Sequence, residues 1–312
     1  MQYRQLGKSG ARVSVIGLGC NRFGTDAITQ DDVNNIIAQC QELGINFLDT
    51  ADVYSRGKSE ERLGVALKGR WDKFVLATKF SAAMGDGAND KGSSRYHVLN
   101  AVEASLRRLQ SDHIDLYYAH RWDDATPIEE TLRALDDLVR AGKVRYVGAS
   151  NFAAWQLARA NLLAEMRGES AFVVLQSEYH LLEREVEREV LPYCRAERVG
   201  FVPYFPLAGG FLTGKYARGK PAPKGSRGES SAYVQKYFLD ANFTRVEKLT
   251  AWAQARGHAL NELAHAWLLA QPSVCSVISG ATKLDHVLAN AKAGDWNLTA
   301  EEEKEIRTLL EN

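Results

Sequence analysis

The sequence predicts a single (β/α)8 TIM barrel over residues 1–312, with an N-terminal β-hairpin, a long loop after the seventh strand and an extra C-terminal helix. Three observations predict it. Eight short β-rich apolar runs recur along the chain, stretches of helical period separate them, and no internal linker divides the series. Strands alternating with helices make a parallel sheet, because a parallel neighbour is reached only through a crossover. Eight such units favour closure into a barrel over an open sheet.

The elements follow in order. Tyr3 to Val13, turning around Gly7-Lys8-Ser9-Gly10, reads as a β-hairpin placed to plug the barrel bottom. The apolar runs are 13–16, 46–48, 74–77, 114–118, 144–147, 172–175, 200–204 and 274–278. Between them, Val98, Val102, Leu106 and Leu109 fall on one face of a helix over 94–110. Ile128, Leu132, Leu135 and Val139 do the same over 127–141. Thr126-Pro127-Ile128-Glu129 reads as a capping box with Pro at the first helical position. Gly142 supplies a left-handed stop, and Gly44, Gly69 and Gly200 sit in the same helix–Gly–strand context. Thr299 to Glu302 reads as a second capping box, opening a final helix at 299–310. The stretch 207–240, with the Gly- and Pro-rich run 219–228, follows the seventh strand and would hang over the C-terminal mouth as a lid.

Composition narrows the function. Lys and Arg total 39 against 39 Asp and Glu, so the formal charge is zero. A nucleic-acid partner is not expected, since that affinity comes from clustered excess Lys and Arg. No run approaches the roughly 18 apolar residues of a membrane span. The first residues lack the apolar core of a signal peptide. Cys20, Cys40, Cys194 and Cys275 are scattered and form no CxxC pair, which fits reduced thiols in a cytoplasmic protein. The histidines show no metal-ligand spacing, so no metal is expected.

In a barrel the informative residues are polar ones at C-terminal strand ends. Asp49 closes the second strand, Lys79 the third, His120 the fourth, Ser150-Asn151 the fifth, Gln176 the sixth and Tyr204 the seventh. Each has a plainer reading: Asp49 and Lys79 as a structural ion pair, His120 as a core histidine, Ser150-Asn151 as a helix cap, Tyr54 as a packing aromatic. Together they converge on one mouth. The set suits proton donation. A Lys cation beside a tyrosine stabilises tyrosinate and lowers its pKa, a carboxylate keeps that Lys protonated, and a histidine orients a carbonyl oxygen. A carbonyl that accepts a hydride needs such an acid.

The segments 44–54, 76–80, 142–152, 206–216 and 278–283 follow one another in the order and wording of known signatures. Through them the chain resembles the aldo-keto reductase superfamily over essentially its whole length, within a bacterial branch related to the potassium-channel β-subunits. The resemblance implies a tetrad of Asp49, Tyr54, Lys79 and His120, with Tyr54 as general acid, and a small-molecule carbonyl substrate. It implies NADP(H), with NAD(H) as a second option, bound across the barrel mouth without a Rossmann domain; no GxGxxG lies between a strand and a helix. Gly19, Cys20, Asn21 and Asp49 would border the cofactor. Ser150, Asn151 and Gln176 would bond the carboxamide, and Tyr204 would stack on the ring. Leu207, Gly210, Lys215 and Arg227 would gather around the pyrophosphate, and Phe205, Pro206 and Ala208 would also contact the cofactor. Gly280, Thr282, Lys283, His286 and Asn290 would hold the adenosine end, where a helix N-terminus favours phosphate.

Three positions depart from the pattern. His286 stands where this branch usually has Gln and others Arg, Ala289 where a Glu commonly meets the adenine, and Asn21 where a larger apolar residue is usual. Phe23, Tyr54, Trp122 and Phe152 are expected at the substrate rim, although Trp122 equally fits loop packing. Two other functions compete: a cofactor-sensing regulatory subunit of a partner protein, and an aldolase-like barrel with Lys79 as a Schiff-base nucleophile. The second is disfavoured, because an Asp-paired protonated Lys is a poor nucleophile.

Overall fold

The computed structural model describes residues 1–311. Two short strands, β1 (Tyr3–Gln5) and β2 (Arg12–Ser14), form an antiparallel hairpin. The barrel follows as β3 (Ile16–Gly19), α1 (Gln30–Glu42), β4 (Phe47–Asp49), α2 (Lys58–Ala66), β5 (Val75–Phe80), α3 (Arg95–Leu109), β6 (Ile114–Ala119), α4 (Ile128–Arg140), β7 (Val144–Ser150), α5 (Ala154–Arg167), β8 (Val174–Glu178), α6 (Val190–Ala196) and β9 (Gly200–Tyr204). Two short helices, α7 (Arg227–Ser230) and α8 (Ala232–Gln235), precede α9 (Asp240–Gln254) and α10 (Leu260–Leu269). The strand β10 (Val277–Gly280), then α11 (Leu284–Ala293) and α12 (Ala300–Glu311), complete the chain. Strands β3 to β10 pair in parallel and close on themselves through β9 and β10.

The hairpin plugs the bottom of this barrel. Leu6 and Val13 are fully buried in one cluster with the inward residues Phe47, Leu116, Val174 and Val202. The turn fits only because Gly7 has no side chain. A Cβ there would lie 2.0 Å from the Val173 carbonyl oxygen and 2.6 Å from the Gly200 nitrogen, and Gly7 holds φ +57°.

Four local expectations change. The apolar run 13–16 is divided: Val13 and Ser14 belong to the hairpin, and the barrel strand begins at Ile16. Apolarity continues across the junction because the plug and the barrel share one interior. The last strand starts at Val277, with Val274 contributing an isolated bridge to Phe201. Gly200 is an ordinary strand residue, and the left-handed stop before it is Arg198 at φ +54°; Gly200 is small because the Gly7 backbone presses on it. Pro127 occupies the N-cap of α4 itself, and the Thr126 hydroxyl bonds the Asp123 carboxylate instead of a helix amide. The C-terminal box does form, with Thr299 and Glu302 exchanging backbone-to-side-chain bonds at 2.9 and 3.2 Å.

The stretch 207–240 is not bare loop. A 3-10 turn spans Ala208–Thr213, and α7 and α8 follow. Among the described residues no helix is long and apolar enough to cross a membrane.

Candidate active site

The pleat decides what reaches the mouth, since side chains alternate across a strand. Phe47, Ala77, Tyr118, Val174, Val202 and Ile278 pack together inside the barrel. Two residues further along each chain stand Asp49, Lys79, His120, Gln176, Tyr204 and Gly280. One inward row thus ends in a polar ring at the C-terminal rim. Ser150 joins it two residues after Gly148, where a Cβ would lie 2.6 Å from the Tyr118 ring. Tyr54 comes from the turn between β4 and α2.

At the centre, the Lys79 ammonium donates to Asp49 Oδ1 at 2.6 Å and to the Thr50 carbonyl at 2.9 Å. Lys79 is 0% exposed and Asp49 3%. The other Asp49 oxygen accepts from the Gln176 amide at 2.8 Å. The Lys79 ammonium lies 5.3 Å from the Tyr54 ring centroid. His120 meets the same ring edge-on, with centroids 6.0 Å apart and planes at 79°.

Burial sets the charges here. It works to discharge Lys79, but the negative Asp49 and the Tyr54 oxygen outweigh it and raise the ammonium pKa. Burial raises Tyr54 above its ordinary value, and Lys79 offsets only part of that rise. The expected net lowering of Tyr54 is therefore not present in this state, because desolvation exceeds the pull of one cation. His120 is pushed down to about 3, first by burial and then by the positive Lys79 and Arg121. Its Nδ1 is buried without a hydrogen-bond partner. The imidazole should accordingly stay neutral through roughly pH 5 to 8. A histidine-labelled NMR titration checks this; a midpoint near the ordinary value for His120 would contradict the burial reading.

The neighbouring strand ends are braced. Asn151 holds φ +59°, donates to the His120 carbonyl at 3.1 Å and to the Ser150 hydroxyl at 3.0 Å, and accepts from Tyr204 at 3.0 Å. Phe205 at φ +62° and Ala208 at φ +47° are also left-handed non-glycines at this rim. Such conformations persist where surroundings enforce them, commonly at functional sites. Burial pushes the Tyr204 phenol up to about 12.

Past β9, Gly210 has φ +100°, and a Cβ there would lie 2.7 Å from Lys215 Nζ. Arg227 lies 5.7 Å from the Phe205 ring centroid. Burial and the nearby charge of Arg22 hold the Arg227 pKa below its usual value. Arg22, Lys215, Arg227 and Lys283 have no ion-pair partner among the described residues, so this side of the mouth holds uncompensated cations suited to phosphate. Lys283 is the N-cap residue of α11, and the His286 ring backs Thr282 at 3.4 Å. Burial, then Lys283 and Lys215, lower the His286 pKa, so it offers a hydrogen bond there and no charge. Asn290 reaches the Gly280 carbonyl at 3.5 Å. Gly19 pairs with Asp49 and Gly280 across the rim; Cys20 is fully buried, and Asn21 is exposed.

The expected substrate residues part company. Trp122 and Phe152 stack edge to face at 5.3 Å, and Trp155 adds to them at 5.6 Å. Phe23 is 0% exposed and Phe152 only 4%, so of Phe23, Trp122 and Phe152 it is Trp122 whose ring meets solvent.

Sequence reasoning missed two groups. Arg22 faces Arg227 from the loop after β3, and a lone arginine carries no motif. Glu178 accepts from Tyr237 at 2.8 Å and from Tyr233, and lies 3.4 Å from His180. Burial opposes its charge, but these donors prevail and hold the carboxyl at about 2. Glu178 thereby bolts the 207–240 segment to β8. The only signal was Tyr233 and Tyr237 one helical turn apart.

Known proteins are similar along the whole chain. Residues 15–311 match the model of the aldo/keto reductase family. The probable voltage-gated potassium channel subunit beta of Oryza sativa subsp. japonica is 37% identical, covering 95% of this chain and 92% of the relative. The uncharacterized oxidoreductase YrpG of Bacillus subtilis is 36% identical over 99% and 95%. Versiconal hemiacetal acetate reductase of Aspergillus parasiticus is 33% identical over 97% and 95%. With the closed barrel and the match along its length, the chain belongs to the aldo/keto reductase family of oxidoreductases.

Proposed function

We propose that this protein reduces the carbonyl of a small aldehyde or ketone to an alcohol, with NADPH as the hydride source. The observation that carries this reading is the convergence of Tyr54, Lys79, Asp49 and His120 at one rim, beside cations that no carboxylate neutralises. The phenol of Tyr54 donates the proton that the carbonyl oxygen needs as negative charge develops. Lys79 stabilises the tyrosinate left behind, and Asp49 with Gln176 holds Lys79 charged and fixed. Neutral His120 hydrogen-bonds the carbonyl oxygen and orients it toward Tyr54.

The nicotinamide supplies the hydride when bound. Ser150, Asn151 and Gln176 would hold its carboxamide, and Tyr204 would back its ring. Arg22, Lys215 and Arg227 would meet the pyrophosphate, and Lys283 with the start of α11 the adenosine phosphate. The aromatic rim of Trp122 and Phe152 suits apolar carbonyl compounds. Similarity to the rice channel subunit supports a second reading, a cofactor-sensing subunit of a partner protein, which turnover separates from the first.

Tryptophan-fluorescence titration with NADPH and NADH, followed by NADPH oxidation with benzaldehyde, tests the proposal. NADPH should bind more tightly than NADH. Lys283→Ala should weaken NADPH by about tenfold, the worth of one charge-assisted contact, and leave NADH unchanged. Equal binding of both cofactors by both proteins would overturn the 2′-phosphate assignment, and absent turnover with a bound cofactor would favour the sensing role.

A further inference from the structure

Away from the mouth, a cavity of about 390 Å³ opens between the turn after β4, the 81–94 loop and α3, with Asp52, Met84, Asp90, Tyr96, His97 and Arg108 in its lining. Two of these hold buried acceptors with nothing to accept. Asp52 is 1% exposed, and neither carboxylate oxygen has a hydrogen-bond partner, although the Val53 amide lies near enough to favour its charged form. His97 is 4% exposed and its Nε2 is likewise unpartnered. Its Nδ1 lies 2.9 Å from the Asn89 carbonyl, which can only accept. Nδ1 therefore donates to that carbonyl, and Nε2 is the ring nitrogen left without a partner.

The one cation in the lining is committed elsewhere. Arg108 donates to Glu60 at 2.7 Å and to Ser105 at 3.3 Å. Burial first, and Glu60 second, lift the Asp52 carboxyl to about 7. The Val53 amide and the charges of Arg108 and Lys79 pull the other way but do not outweigh burial, and a buried carboxylate so weakly compensated is costly. Met84, Ala101 and Ala104 give the lining an apolar part beside the polar Asn89, Asp90 and Asn100. The described residues contain no group of three ligating side chains for a metal. Volume and lining match a small organic ligand.

We propose that this cavity is a second ligand site, which takes a small organic cation bearing several N–H donors on a short apolar chain, with Asp52 and His97 as its acceptors. The site lies outside the barrel interior and independent of the reductase reading. Asp52 nevertheless shares the turn of Tyr54, and its amide donates to the Lys79 carbonyl at 3.2 Å.

Isothermal titration calorimetry with n-butylguanidinium and its neutral isostere n-butylurea provides the test. The cation should bind saturably, with the urea at least about tenfold weaker, because only the cation offers charge to the buried carboxylate. Asp52→Asn should lose about tenfold or more of the cation affinity and keep its circular dichroism spectrum. Ala104→Phe, which adds bulk to the lining two turns along α3 from His97 and leaves both acceptors in place, should abolish binding. Equal affinity for the two compounds, no saturable heat, or full affinity in Ala104→Phe would overturn the site.

Discussion

Tyr54→Phe should lower kcat/KM for aldehyde reduction by about 10²–10⁴-fold, the usual worth of a positioned general acid. NADPH binding should stay within about twofold, since the lost atom is one hydroxyl at the substrate side. The fold should survive, because the ring keeps its place between His120 and Lys79. The pH profile carries a second check. Burial raises the Tyr54 pKa above its ordinary value despite Lys79. A donor is active while protonated, so reduction should remain flat across neutral pH and fall only on the alkaline side, as Tyr54 ionises. An activity loss centred well below the ordinary tyrosine range would mean that Lys79 outweighs burial once ligands are present. Unchanged activity in Tyr54→Phe would remove Tyr54 as the acid.

Lys79→Met should be the most destabilising change at the rim. Asp49 is 3% exposed and would keep only the Gln176 amide as a donor. Breaking a buried pair by removing one partner costs about 3–5 kcal/mol, because it strands a charge. The loss should depend on pH. A buried charge stripped of its partner is disfavoured against the neutral form, so the deficit should be smallest at acid pH, where carboxyls are protonated, and grow as pH rises. Urea unfolding at two pH values measures this, with the larger deficit expected at the higher one. Adding Asp49→Asn should recover part of the loss, since the stranded charge is gone. A Lys79→Met protein within about 1 kcal/mol of wild type at neutral pH would contradict the buried-pair account.

The barrel was legible because parallel strands covered on both faces read as continuous apolar runs. The meeting of polar side chains at the rim was legible for the converse reason: Asp49, Lys79 and His120 end such runs, where a strand has no packing use for charge. Boundaries were less legible. The run 13–16 crosses from plug to barrel without a polar break, since both sides face one interior. Pro127 fits either of two adjacent cap positions, and the hydroxyl of Thr126 is drawn to Asp123, a choice made in three dimensions. The net shift of Tyr54 was misread because a sequence shows which charge is near but not how much water is excluded. Arg22, Glu178 and Asp52 were missed for another reason. Each acquires its meaning from a partner, or the lack of one, far along the chain: Arg22 from Arg227, Glu178 from Tyr233 and Tyr237, and Asp52 from His97 across a cavity.

The central claim is direct hydride transfer to a carbonyl at this mouth. NADPH deuterated at C4 on each face in turn, incubated with benzaldehyde and the protein, measures it through the mass of the benzyl alcohol formed. One of the two labelled cofactors should deliver a single deuterium to the carbinol carbon, and Tyr54→Phe should slow its appearance. Alcohol formed without deuterium from either cofactor would contradict the account.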